Sequence, residues 1–225
     1  MLFFVLVWLP IWTGAPLWAA EPATANGAKP ARGRIVVLGD SITAGLGLND
    51  PADAWPARLQ QKIDAAGLPF EVVNAGVSGD TTAGGLRRVN WVLAGGADVL
   101  VIALGGNDGL RGIVPQQTEE NLTGIIQRAR AKVPGLAIIV AGMQMPPNMG
   151  PDFVEKFRAV FPRVATANQA ELVPFLLEGV GGIPSLNQAD QIHPNPAGQK
   201  RVAENVWPVL QKVLVTHPAA AKAGG

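Results

Sequence analysis

The chain has 225 residues, 48% of them apolar, enough for one domain with a sizeable core and too apolar for a disordered segment. A formal net charge of +1 offers no field that would hold a nucleic acid or an acidic membrane surface. Cysteine is absent, which excludes disulfides and thiol catalysis, and His193 and His217 are the only imidazoles, too few for a histidine-rich metal site.

In chain order, "MLFFVLVWLPIWTGAPLWAA" is uncharged, mostly apolar and small at Ala19 and Ala20. It reads as a secretory signal peptide over residues 1–20, although no basic residue follows Met1. Pro10 and Pro16 interrupt the run, and it is short against the ~20 apolar residues of a membrane span, so cleavage and export to the periplasm or beyond are expected rather than stable membrane insertion. Residues 21–33, rich in Ala, Pro and Gly, read as a flexible leader, 34–215 as the folded domain and 216–225 as a flexible tail with a solvated His217.

The run "RIVVL" is a strand covered on both faces. A helix follows in "DAWPARLQQKIDAAG", with Asp53 as N-cap and Gly67 just past its end. The second strand is "FEVVNAG", and residues 82–94 form a helix capped by Asp80. The third strand, "ADVLVIAL", is the most apolar and therefore central. A helix starting about Thr118 places Glu119 and Glu120 favourably for its dipole. The strand "GLAIIVAG", a helix over 153–169 interrupted or kinked near Pro162, a weaker strand "ELVPFLL" and a helix over 196–215 complete the domain. This alternation predicts an α/β domain with one open parallel sheet and helices on both faces. Ligands of such sheets bind beyond the carboxyl ends of the strands.

The segments at those ends carry polar groups suited to one chemistry. They are Ser41 in "GDSIT", Gly79 in "GVSGDTT", Asn107 in "GGNDG", the loop "MQMPPNMG", and Asp190 with His193 in "DQIHPN". A serine hydroxyl needs a base to attack a carbonyl, and His193 is the credible imidazole. Asp190, three residues earlier, suits the other ring nitrogen. The N–H groups of Ser41 and Gly79 and the amide of Asn107 are donors for an oxyanion. Taken singly, each has a plainer reading: Asp40 or Ser41 as a helix cap, Gly79 as a turn residue, Asn107 as a self-bonded loop residue, and "DxxHP" as a turn before a helix. The catalytic reading rests on their conjunction at one sheet edge. Neither "GVSGD" nor "GDSIT" has the last glycine of a G-x-S-x-G elbow, so an ordinary α/β-hydrolase is not indicated.

With these residues in place, the chain resembles the SGNH (GDSL-like) hydrolases, in the blocks "VVLGDSITAG", "NAGVSGDTTAGGL", "LGGNDGLRG" and "DQIHPN". It is most similar to the bacterial multifunctional thioesterase I/protease I/lysophospholipase and arylesterase subgroup. The resemblance implies a flavodoxin-like three-layer α/β/α sandwich with a five-stranded sheet in the order 2-1-3-4-5. It implies a serine esterase acting on oxyesters and thioesters, with no metal or organic cofactor, Ser41 as nucleophile, His193 as base and Asp190 as its orienter. It also implies a mobile loop at 109–115 shaping the acyl pocket, with Leu110 and Ile113 in its wall and Met145 in another. The expected partner is a small acyl ester, met by a monomer, with no nucleic acid. The alternatives weighed are a carbohydrate acetyl-esterase on the same fold and a non-catalytic flavodoxin-like binding module.

Overall fold

The computed structural model describes residues 32–221. The expected signal peptide lies outside them. Five strands are described, β1 (Gly33–Gly39), β2 (Phe70–Gly76), β3 (Val99–Ala103), β4 (Ala137–Ala141) and β5 (Glu171–Val173), paired in parallel in the order β2-β1-β3-β4-β5. The helices are α1 (Ser41–Ala44), α2 (Trp55–Ala65), α3 (Thr82–Val92), α4 (Gly106–Leu110), α5 (Pro115–Lys132), α6 (Pro151–Ala167), α7 (Pro196–Thr216) and α8 (Pro218–Ala221). Helices α2 and α7 pack together on one face of the sheet, and α3, α5 and α6 on the other.

Burial follows the sequence pattern. Every residue of β3 is buried, as a strand with neighbours on both sides and helices above and below must be. The chain leaves β1 for the β2 side and later returns to the β3 side, so the strand order reverses next to β1. Gly39 pairs with Gly76 on one side and Ala103 on the other. Three chain segments therefore leave the sheet at one level, beside the crevice that the reversal opens.

Several local expectations are corrected. Ala54, not Asp53, precedes α2, and no side chain of its own caps that helix. Asp53 lies inside a 3-10 turn, Pro51–Asp53, where its carboxylate meets Arg58. The missing cap comes from Gln199, whose Oε1 accepts the Trp55 N–H at 3.0 Å. Thr81 caps α3 by accepting from Gly84 N–H, because Thr81 has the extended backbone a cap requires. That frees Asp80 to pair with Arg88. Helix α5 starts at Pro115, whose missing N–H suits a first turn, so Glu119 and Glu120 fall beyond that turn. Pro162 lies inside a continuous α6. His217, expected in solvent, packs its ring edge-on against Phe70 with centroids 5.8 Å apart.

Candidate active site

Strand β1 ends at Gly39, and the chain turns at once into α1. Asp40 caps that turn, its Oδ1 accepting the Ile42 N–H at 3.0 Å. Ser41 is thus the first helical residue, held at the carboxyl edge of the sheet with its backbone N–H outside the helix ladder. Its Oγ lies 2.8 Å from His193 Nε2.

His193 comes from the segment between β5 and α7. Its Nδ1 is 2.6 Å from Asp190 Oδ2. A proton on Nδ1 donated to the carboxylate leaves Nε2 free to accept the serine proton. The Asp–His link is not made by a helical turn. Asp190 Oδ1 accepts the N–H groups of Ile192 and His193 at 2.9 and 3.0 Å, and Gln191 takes a left-handed φ of 59° to allow it. The His193 N–H, the His193 ring and the Ile192 N–H, in that order, hold the Asp190 carboxyl down at about 2, so it stays ionised throughout the neutral range. Gln188 ties this segment to the serine loop, its Nε2 donating to Leu46 O at 2.7 Å.

Two further segments follow β2 and β3 at the same edge of the sheet. Gly79 has φ 78°, a conformation that favours glycine, which turns the chain between β2 and α3. Neither the Gly79 N–H nor the Ser41 N–H has a partner among the described residues. Asn107 stands on the short helix α4, not in a loop, and one hydrogen of its amide goes to Asp80 O at 2.9 Å. The second hydrogen has no partner among the described residues.

Sequence reasoning missed some groups that hold this edge together. Asp108, fully buried, accepts from the N–H of Thr82 at 2.9 Å and from the Thr82 hydroxyl, pinning the start of α3 beside α4. Gln199 Nε2 donates to Ile42 O at 3.1 Å and so braces α1. Nothing in local spacing marks either of them.

Asp40 is 2% exposed. Burial pushes its carboxyl up to about 6, against the pull of the Ile42 N–H and of the His193 ring. Such an acid holds its proton more tightly folded than unfolded. Stability is therefore highest below the unfolded value near 4 and declines as pH rises through about 6. Above that, the buried charge costs on the order of 1–3 kcal/mol. Asp40→Asn keeps an oxygen for Ile42 and removes the charge. Its melting temperature is expected to exceed the parent's by several degrees at pH 8 and to match it at pH 4. An equal gap at both pH values would contradict this.

A cavity of about 360 Å³ opens against Ile42, the residue that follows Ser41. Its wall includes Ile42, Leu110, Met143, Met145, Phe175 and Leu177, with Gln191 and Ile192 on the His193 side. Leu110 and Met145 line this cavity and Ile113 does not; the Ile113 N–H donates to Asp108 O at 3.0 Å. Phe175 and Leu177 were read as strand residues. Pro174 lacks an N–H for the ladder and β5 stops at Val173, which puts both side chains at the rim.

The model of the GDSL-like Lipase/Acylhydrolase family matches residues 37–201. Esterase TesA of Pseudomonas aeruginosa is 49% identical over 181 residues, 80% of this chain and 89% of the relative. Thioesterase 1/protease 1/lysophospholipase L1 of Escherichia coli strain K12 is 38% identical over 192 residues, covering 81% and 85%. A crystal structure of TesA superposes with a TM-score of 0.77 at 48% identity, covering 80% of this chain and 99% of that one.

Proposed function

The chain belongs to the GDSL-like lipase/acylhydrolase family, and we propose that Ser41, His193 and Asp190 give it the activity of a serine esterase on oxyesters and thioesters. It is a carboxylic ester hydrolase with a small-molecule substrate. The observation that carries the residue roles is the unbroken relay from Ser41 Oγ to His193 Nε2 at 2.8 Å and from Nδ1 to Asp190 at 2.6 Å.

Ser41 Oγ attacks the acyl carbon as its proton passes to His193 Nε2. Ionised Asp190 stabilises the resulting imidazolium. The tetrahedral oxyanion is received by the N–H groups of Ser41 and Gly79 and by the free amide hydrogen of Asn107. The C–O or C–S bond then breaks, and the leaving alcohol or thiol takes the proton from His193. Water repeats the cycle on the acyl-enzyme and releases the acid.

The wall of Leu110, Met143, Met145, Phe175 and Leu177 supports fatty or aryl acyl groups. It gives no support to acetylated sugars, which need polar contacts along the ring. The apolar signal-like run at residues 1–20 supports export of the domain to the periplasm or beyond.

Two measurements test the reading. A fluorophosphonate should add one adduct, located by mass spectrometry on Ser41. Rates on matched thioester and oxyester series should rise with acyl length from acetyl to the medium chains. An adduct on another residue, or a preference for acetyl groups throughout, would refute it.

A further inference from the structure

We propose that Arg88 is the positioning residue of the oxyanion hole. The inference rests on the reading of Ser41, Gly79 and Asn107 as the donors.

Arg88 rises from α3 with its side chain 18% exposed. Its guanidinium bonds in three directions, with Nε donating to Asp80 Oδ2 at 2.7 Å, Nη1 to Ala75 O at 2.7 Å and Nη2 to Gly39 O at 2.9 Å. Each acceptor belongs to a segment that carries an oxyanion donor. Gly39 ends β1 and is joined through Asp40 to Ser41. Ala75 lies at the end of β2, just before the turn that holds Gly79. Asp80 follows Gly79, and its own carbonyl receives the Asn107 amide. Gly39 O also accepts the Val77 N–H at 3.0 Å, so the ends of β1 and β2 are tied twice.

An ordinary ion pair on a helix surface needs only the carboxylate. Here two of the three bonds go to main-chain carbonyls at strand ends, and one planar cation ties the end of β1 to both sides of the turn that holds Gly79. The packing around the pair is specific as well. A Cβ at Gly84 would come within 1.6 Å of Asp80 Oδ1, so the first turn of α3 is left bare for that carboxylate. Lysine would keep the charge but cannot supply three donors in one plane.

The test uses Arg88→Lys, Arg88→Gln, Asn107→Ala and the doubles with Asn107→Ala. It measures kcat and KM on a short p-nitrophenyl ester, the rate of fluorophosphonate labelling of Ser41, and the melting temperature. Rates are expressed per labelled serine, so that yield and misfolding drop out. Asn107→Ala should lower kcat by about 10²- to 10³-fold. Arg88→Lys should lower kcat by about 10- to 100-fold, since small misplacements of preorganised groups have effects of that size, with KM within about threefold of the parent. Labelling should slow in the same proportion. The double should lose less than the product of the two single losses, because Arg88 holds the Asp80 segment whose carbonyl receives that amide, while its hold on the Ser41 and Gly79 segments still counts.

If Arg88→Lys keeps kcat within about twofold of the parent while Asn107→Ala is impaired, the positioning role falls and the oxyanion reading stands. Full multiplication of the two losses would likewise reduce Arg88 to a structural ion pair. Parent-like kcat in Asn107→Ala would remove the oxyanion reading itself, and the role of Arg88 with it.

Discussion

Ser41→Ala is expected to lower kcat on p-nitrophenyl esters by about 10⁴- to 10⁶-fold, with the melting temperature unchanged or raised. The loss follows from chemistry rather than packing. The side chain loses one oxygen, which is 2.8 Å from the histidine and caps nothing. Asp40 performs the capping of α1, so the local fold does not need the hydroxyl. Alanine is also tolerated well in a first helical turn. What disappears is the nucleophile, and with it the covalent intermediate that divides one difficult step into two. A residual rate above that of water should persist, because the N–H groups of Ser41 and Gly79 survive the substitution. The check combines steady-state rates, a thermal melt and loss of fluorophosphonate labelling. A variant with more than about a tenth of parental kcat would show that another group attacks the ester.

How far the sequence led can be judged element by element. The central position of "VLVIA" was legible because a strand buried on both faces must be apolar throughout, and β3 is. The gathering of Ser41, Gly79, Asn107 and His193 was legible because a parallel sheet sends every strand end to one edge. What was not legible depends on partners remote in the chain. The cap of α2 comes from Gln199, 144 residues from Trp55, and no local pattern announces it. Phe175 and Leu177 looked like continuation of an apolar strand, and only the end of the ladder at Val173 turns them toward the cavity. Nothing in the local sequence marks Arg88, because the carbonyls it meets exist as targets only once β1 and β2 lie side by side. Residue types that chemistry constrains were readable as a set gathered at one sheet edge, whereas the groups that position them were not, because their role lies in tertiary contacts.

His193→Ala is expected to match Ser41→Ala, with kcat down by about 10⁴- to 10⁶-fold, and the double variant should be no worse than either single. The reason lies in the shared proton. Without Nε2 to receive it, the Ser41 hydroxyl remains a weak nucleophile, and without the hydroxyl the imidazole has nothing to activate. Losses of independent groups would multiply, so equality of singles and double is the signature of one unit. Asp190 also enters the outcome. Its Oδ1 keeps the N–H groups of residues 192 and 193 in His193→Ala, and only the ring's bond to Oδ2 is lost, so the segment should keep its course and the melting temperature should fall little. The other histidine supplies the control. His217 packs on Phe70, the first residue of β2, at the opposite end of that strand from Gly76 and the serine. His217→Ala is therefore expected to lower the melting temperature through lost ring packing while leaving kcat at the parental value. Activity lost in His217→Ala, or retained in His193→Ala, would move the base away from the residue whose ring faces Ser41.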